Sequence, residues 1–357
     1  MPRLTAGGPH YYGLRADSTI GGEVYERELL ARLPACGVDL ELGLPRDHAV
    51  TDPPRGWRIT VLRHRVGLHW VAAPAVFTPY VLHLLRSGRA DLLRGHSVRH
   101  TGPALLLGRA LARSRAPVVL HHHHLYPRWA RLEAAIARRA DAVITVSEHS
   151  RRELVAAGVP AERVHFVREG IATPGPTDGW PEAWPAGGLR LLHLGRLEAR
   201  KRPELAIDTL AALRRSGVDA SLVVAGDGTQ DQLAARAAGL PVRFTGRVGE
   251  TDKWRLYDTA DVLLFGSTLE GFGLVVAEAQ SRGVPVVAAA GTATAEALDD
   301  GRSGLLVAPT ADAFAAAVRD VAGRRAEMAA AAREFARRFD WDACAGAVAD
   351  VYRGLVL

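Results

Sequence analysis

Ser267-Thr-Leu-Glu-Gly-Phe-Gly-Leu-Val-Val-Ala-Glu-Ala-Gln280 is the stretch on which the fold turns. It lies between two apolar runs, Asp261-Val-Leu-Leu-Phe265 and Val284-Pro-Val-Val-Ala-Ala289. Both are short, rich in β-branched and aliphatic residues and bounded by turn formers, so both predict buried strands. The residues between them predict a loop and then a helix, which makes a strand–loop–helix–strand unit of a parallel sheet. Gly271 and Gly273 fall where the loop becomes the helix. Lacking side chains, they let an anion approach backbone N–H groups at the positive end of the helix. Glu270 then stands on the loop and Glu278 about two turns into the helix, so a carboxylate flanks the anion site at each end. A lone turn of this kind is more often an ordinary βαβ connection with a solvated glutamate, so the rest of the chain has to decide.

Working outward, the same pattern repeats upstream. Strands are predicted at Leu189–Leu194, Ser221–Ala225, Val242–Thr245, Val262–Phe265, Pro285–Ala288 and Gly304–Val307, with helices from Ala311 to Leu357. Gly195-Arg-Leu-Glu-Ala-Arg-Lys201 follows the first of these strands, Gly226-Asp-Gly228 the second and Thr245-Gly-Arg-Val248 the third. All of these segments fall at the carboxyl ends of successive strands, where open α/β sheets bind ligands. Together they supply glycine-lined helix starts, two cations (Arg196 and Lys201) and two carboxylates. A nucleoside diphosphate joined to a polyol fits that inventory, with cations for pyrophosphate and carboxylates for hydroxyls.

The N-terminal half alternates in the same way. Its expected strands are His10–Leu14, Val38–Leu42, Trp57–Leu62, Asp91–Leu93, Pro117–Leu120, Ala142–Val146 and Val164–Val167. Expected helices include one opened by Gly21-Gly22 and others at Ala104–Ala112, Arg128–Arg139 and Glu148–Ala157. Between the halves, Ala172 to Gly188 is dense in proline and glycine and predicts a linker. The fold class expected is α/β, with two doubly wound Rossmann-like domains in tandem whose ligand edges face a central cleft.

Composition narrows the class. The chain has 357 residues, 48% hydrophobic and 24% charged, which suits a globular protein of two domains. No apolar run reaches 18 residues and the N-terminus has no signal-like core, so a cytoplasmic location is expected, and the two distant cysteines suit a reducing compartment. The net charge of +6 comes almost wholly from arginine, a habit of GC-rich bacterial genomes. Basic residues crowd Arg86 to Arg115, where peripheral membrane contact is expected to be open. No aromatic-interleaved basic motif or zinc spacing accompanies them, so nucleic acid is not expected as a partner. His121-His-His-His124 ends a strand, where neighbouring side chains face opposite sides and cannot converge on one ion, so no metal is expected.

These residues resemble the retaining GT-B nucleotide-sugar glycosyltransferases of glycosyltransferase family 4. The segment Glu270-Gly-Phe-Gly-Leu-Val-Val-Ala-Glu278, preceded by Ala260-Asp-Val-Leu-Leu, is similar to that family's Glu-x7-Glu motif. Gly195-Arg196 with Lys201, Ala225-Gly-Asp-Gly228 and Phe244-Thr-Gly-Arg-Val248 match its other C-terminal blocks in order and spacing. A looser likeness covers Gly21-Gly22, Asp141–Ser147, Glu169-Gly-Ile171 and Phe339-Asp-Trp341. Departures are Glu169 in place of the family's usual Asn and Gly291-Thr-Ala-Thr-Ala-Glu296 in place of Gly-Gly-x-Pro-Glu.

The resemblance implies an acceptor-binding domain at 1–173, a linker at 174–188, a donor-binding domain at 189–338 and a final helix at 339–357 packed back on the first domain. It implies that Arg196 and Lys201, helped by backbone at Gly22, Gly195 and Gly226, bind the donor diphosphate and neutralise the leaving group. Glu278 would hold ribose hydroxyls, and Arg247 and Val248 would flank the nucleobase. Glu270, with Gly271, Phe272, Gly273 and Leu274, would hold the donor sugar. His123 would stand near that sugar, with His96, His122 and His124 as acceptor-side candidates. The implied reaction is metal-independent sugar transfer with retention, by front-face attack of an acceptor hydroxyl, with a nucleotide-diphosphate sugar as co-substrate and no cofactor. The acceptor is expected to be a small molecule, as in antibiotic glycosylation, or lipid-linked, as for cell-surface glycolipid or polysaccharide. A nucleotide-sugar epimerase on the same scaffold is the other enzyme reading.

Overall fold

A computed structural model of the chain describes residues 3–10, 14, 21–47, 50, 53–65, 69–124, 126–185 and 187–356. The chain forms two compact units, residues 1–170 with 340–357 and residues 171–339. In the first, β1 (Leu4–Pro9), α1 (Gly21–Arg32), β2 (Val38–Pro45), β3 (Trp57–Leu62), α2 (Ala73–Arg86), β4 (Leu92–Gly95) and α3 (Gly102–Ala112) come in order. They are followed by β5 (Val118–His122), α4 (Ala130–Ala137), β6 (Ala142–Thr145), α5 (Glu148–Ala156) and β7 (Val164–Phe166). The second unit runs β8 (Leu189–Leu194), α6 (Pro203–Arg215), β9 (Ala220–Ala225), α7 (Asp231–Arg236), β10 (Val242–Gly246) and α8 (Glu250–Thr259). It continues with β11 (Val262–Phe265), α9 (Leu274–Ser281), β12 (Val286–Ala289), β13 (Gly304–Val307), α10 (Ala311–Gly323) and α11 (Arg325–Ala336). The last helix, α12 (Trp341–Val356), belongs to the first unit and packs on α1.

The first sheet has seven strands in the order β3-β2-β1-β4-β5-β6-β7 and the second six in the order β10-β9-β8-β11-β12-β13. Every strand pairing is parallel. Strand order reverses at β1/β4 and at β8/β11, the switch points beside which such sheets bind ligands. The continuous apolar runs explain the strands: β9, β11 and β12 are buried throughout, as parallel strands covered on both faces must be.

Three expectations change, and one helix is added. The first strand is Leu4–Pro9, not His10–Leu14, and Tyr11, Tyr12 and Gly13 lie outside the described residues. Gly7 and Gly8 mask β1 in the sequence, yet a Cβ on Gly8 would sit 2.0 Å from the Arg94 carbonyl of neighbouring β4. Glycine is what lets the two strands approach. The region 174–188 is no free linker: it packs on the second unit. Arg282 donates to the carbonyls of Pro174 and Gly175 at 2.9 and 2.8 Å, the Thr177 hydroxyl donates to Asp258 at 2.6 Å, and Trp184 is buried. Helix α2 is not among the expected helices: it carries Pro79 inside, which hides it from a helix reading. Finally, α9 starts at Leu274 because Gly273 caps it at φ +103, so Glu278 stands one turn in, not two.

Candidate active site

At the carboxyl edge of the second sheet, three loops are stitched together by backbone. The Gly195 N–H donates to the Ala225 carbonyl at 3.0 Å, Gly226 to Gly246 at 2.9 Å and Leu197 to Asp227 at 2.8 Å. The approach is so close that a Cβ on Gly226 would lie 1.8 Å from the Gly195 carbonyl oxygen. Arg247 and Val248 follow directly on this edge after β10. Gly271, Phe272 and Gly273 are buried, and Phe272 packs edge-on against Phe339 at 5.1 Å. Leu274 opens α9, whose first N–H groups are those left without intrahelical partners.

The charges gather here. Lys201 pairs with Glu270 Oε1 and lies 5.3 Å over the Phe265 ring. Arg200, which the sequence did not single out, lies 3.7 Å from the same carboxylate oxygen and donates to the Leu269 carbonyl at 3.0 Å. Arg196 is more exposed and pairs with Glu198, which also accepts from Arg200 Nε at 3.0 Å. Burial pushes the Lys201 ammonium below its ordinary pKa, against the pull of Glu270. An anion placed beside it would reverse that cost, since an opposite charge favours the charged form.

Glu278 has its own partners, and the sequence motifs singled out neither. Lys253 Nζ donates to Oε1 at 2.7 Å and the Tyr257 hydroxyl to Oε2 at 3.0 Å. The two stand four residues apart on α8 and so share a helix face. Burial alone would depress Lys253, but Glu278 and Glu250 outweigh it and its pKa is raised. Lys201 and Lys253 are the only lysines among the chain's 45 basic Lys and Arg residues, and each is paired with one carboxylate of the Glu270–Glu278 motif. A chain that uses arginine everywhere else keeps a compact ammonium at these two points, and that scarcity was the signal that could have found Lys253.

The first unit's edge holds the histidines. His96 is buried and stacks on His10, with centroids 4.9 Å apart. His123 meets the Tyr25 ring edge-on at 4.8 Å, and Ser150 Oγ donates to its carbonyl at 2.9 Å. His122 is buried, with its pKa lowered to about 3 by burial and then by its histidine neighbours. His124 turns the other way, onto Tyr126 at 4.4 Å. Gly22 lies in the first turn of α1, with open space where a Cβ would point. Behind these runs a buried polar network that no sequence motif announced. Arg94 forks onto both Glu26 oxygens at 2.7 and 2.9 Å and donates to the Tyr352 hydroxyl at 3.1 Å. Tyr352 bonds His121 Nε2 at 2.8 Å, and His121 Nδ1 bonds Tyr25 at 3.1 Å. This ties α12 to the sheet.

Among the described residues, His10, Glu26 and His96 are close enough to hold a metal ion. The Arg94 fork already takes both Glu26 oxygens and its Nη1 lies 3.3 Å from His10, so the cation there is a guanidinium and a metal does not fit.

Comparison with known proteins bears on both units. A family model described as "Glycosyl transferase 4-like domain" matches residues 21–170 and one described as "Glycosyl transferases group 1" matches 177–339. Glycogen synthase of Mycobacterium tuberculosis is 34% identical over 237 residues, which are 62% of this chain and 56% of that protein. A phosphatidyl-myo-inositol mannosyltransferase of Mycobacterium leprae is 36% identical over 178 residues, 47% of each chain. The chain thus spans about half the length of the curated relatives it matches. HepE from Anabaena, solved in complex with UDP and glucose, superposes with a TM-score of 0.73 at 18% identity, covering 99% of this chain and 100% of that one. Sucrose-phosphate synthase from Thermosynechococcus elongatus gives 0.77 at 20% identity, with 99% of both chains covered. With a glycosyltransferase model matched to each unit and GT-B structures aligned over nearly its full length, the chain belongs to the family 4 glycosyltransferases.

Proposed function

We propose that this protein moves a sugar from a nucleoside-diphosphate sugar to an acceptor hydroxyl, with retention and without a metal ion. One observation carries the reading: the two motif carboxylates each hold one of the only two lysines at a glycine-lined sheet edge. In the resting arrangement Glu270 neutralises Lys201. A donor diphosphate takes Lys201 and Arg196, which frees Glu270 for the donor sugar's hydroxyls, while Glu278 takes the ribose hydroxyls. The acceptor oxygen bonds to the anomeric carbon as that carbon's bond to the diphosphate oxygen breaks. The acceptor proton passes to the departing diphosphate on the same face, so configuration is kept. Cations fixed where negative charge develops do the work a magnesium ion does elsewhere.

The first unit supplies the acceptor side, His123 and His96 included, and the protein acts in the cytoplasm, where nucleotide sugars are found. The acceptor is a small molecule, a secondary metabolite among the cases, or a lipid-linked saccharide. Membrane contact is supported by exposed apolar residues in a basic stretch: Val71, Leu107 and Leu111 are exposed, and Asp91 is the only acid between Asp52 and Glu133 in the sequence. No described helix is long and apolar enough to cross a membrane. With EDTA and a panel of nucleotide sugars, the full chain is expected to bind one donor and transfer its sugar with the anomeric configuration kept, read by proton NMR. Absence of donor binding by calorimetry, or activity that EDTA abolishes and magnesium restores, overturns it.

A further inference from the structure

Outside the residues used above, the first unit carries an aromatic cluster that neither the motifs nor the polar network absorbs. Three loops contribute to it, those that follow β3, β4 and β5, all at the ligand edge of the sheet. Trp70 comes from the first, Arg99 from the second, and Tyr126 and Trp129 from the third. Trp70 and Trp129 meet edge-on with centroids 5.2 Å apart and planes at 65°. The Arg99 guanidinium carbon lies 5.4 Å from the centroids of both Tyr126 and Trp129. Only 6% of the chain is aromatic, so three rings gathered at one sheet edge, with Tyr126 left 39% exposed, are not background.

The polar groups behind the rings are incompletely used. Arg99 Nη1 lies 3.5 Å from Glu133 Oε1, beyond a good hydrogen bond, and the two side chains are 12% and 6% exposed. Arg99 Nε and Nη1 and Glu133 Oε2 have no hydrogen-bond partner. Burial raises the Glu133 carboxyl to about 7 despite the neighbouring Arg99, so the group can donate as well as accept near neutral pH. Each unpartnered buried group destabilises the site that holds it, so a site that keeps three of them gains when a ligand supplies hydroxyls.

We propose that Trp70, Tyr126 and Trp129, backed by Arg99 and Glu133, form an acceptor subsite for a saturated polyhydroxylated ring, a pyranose or a cyclitol. Such a ring has an apolar C–H face for the aromatic surfaces and hydroxyls at its rim for a guanidinium and a carboxyl. Hydroxyls distinguish such a ring from a flat aromatic acceptor, which meets the Trp and Tyr surfaces but leaves Arg99 Nε and Glu133 Oε2 without partners. Charge selects against a phosphorylated acceptor here, because Glu133 sits against Arg99. The inference rests on the glycosyl-transfer reading, since it names what that reaction takes as acceptor.

The test uses saturation-transfer NMR on the full chain with UDP and GDP present in turn. Methyl α-D-glucopyranoside and myo-inositol are the probes, and p-nitrophenol is the flat control. At least one polyol is expected to receive saturation on its ring C–H protons, with the signal at least fivefold lower in Trp129→Ala and largely kept in Trp129→Phe. Trp70→Ala, on an exposed loop, gives the same fall should Trp129→Ala not fold. The subsite is overturned if neither polyol is saturated, if p-nitrophenol alone is, or if the alanine variants leave the polyol signal unchanged. Nucleotide binding is measured separately by calorimetry. Loss of all nucleotide binding with polyol signals intact overturns the transferase reading and leaves the subsite standing.

Discussion

The two units divide the chain's titratable chemistry between them. All but one of the 14 histidines lie in the first unit, and both lysines lie in the second. In the first, burial holds His10 at about 4 and His96 and His121 well below their ordinary value, and the buried Glu26 carboxylate beside them is locked in the Arg94 fork. In the second, each ammonium is held to a carboxylate beside glycine-lined backbone that a ligand can approach. The contrast separates two uses of buried charge. A bidentate fork that satisfies both partners fixes a fold, whereas a compact ammonium beside a carboxylate can exchange that partner for an incoming anion.

The sharpest way to break that contrast is to remove one half of the fork. Arg94→Met leaves Glu26 buried and uncompensated, which costs about 3–5 kcal/mol. The expected result is a lower urea midpoint for the first unit's transition alone, largely recovered in the double variant with Glu26→Gln. Equal midpoints for single and double variants would show that the pair is no lock. Next comes the exchangeable pair. Lys201→Met and Glu270→Ala are expected to lower kcat by about 10²–10³, with a smaller fall in the second unit's unfolding midpoint than Arg94→Met causes in the first, because this pair is less buried than the Arg94–Glu26 fork. Full activity in either variant removes the second unit from the chemistry.

Acid sharpens the contrast further. A histidine whose folded pKa lies below the unfolded value of about 6.5 contributes stability that is complete above that pH. For His10 the contribution is lost as pH falls from there through about 4, because burial disfavours the charged ring. Glu26, whose pKa the Arg94 fork lowers against the effect of burial, adds a loss in the same direction only below the unfolded carboxylate value of about 4.3. The first unit is therefore expected to lose stability between pH 6.5 and 4 by up to ~1.4 kcal/mol per pH unit for each histidine that charges. The second unit, with His193 alone, held at about 4 by burial, loses far less. Parallel slopes for the two transitions, followed by calorimetry, would dissolve the distinction.

What the sequence disclosed follows the same division. The second unit was legible because β11 and β12 are unbroken apolar runs and most of its candidate site residues follow strand ends, where spacing places them. β1 was not, because Gly7 and Gly8 serve a close approach to β4 that only the folded sheet reveals. Nor was the polar network, since Arg94 and Tyr352 are 258 residues apart and belong to no shared pattern. The histidine run was read for the chemistry of its own spacing. Two of its actual partners, Tyr25 and Tyr352, come from other elements.

The smallest effect tests the finest claim, that an ammonium is needed at Lys253 rather than any cation. Its three donors reach Glu278 at 2.7 Å and Glu250 at 3.0 Å in a site closed by the Trp254 ring at 5.1 Å. Lys253→Arg keeps the charge, so it changes only shape. A planar fork is wider than an ammonium and must push the Glu278 carboxylate off its bond with Tyr257. The donor's KM is expected to rise about tenfold, ~1.4 kcal/mol, with kcat within about twofold, because on the proposed reading Glu278 would hold the ribose equally in the ground and transition states. A 2′-deoxyribose donor should feel the substitution less, since it lacks a hydroxyl that Glu278 is proposed to hold. If both donors weaken alike, the lysine supports the fold of α8 and α9 only; if the ribose donor alone weakens, it sets the geometry of nucleotide recognition.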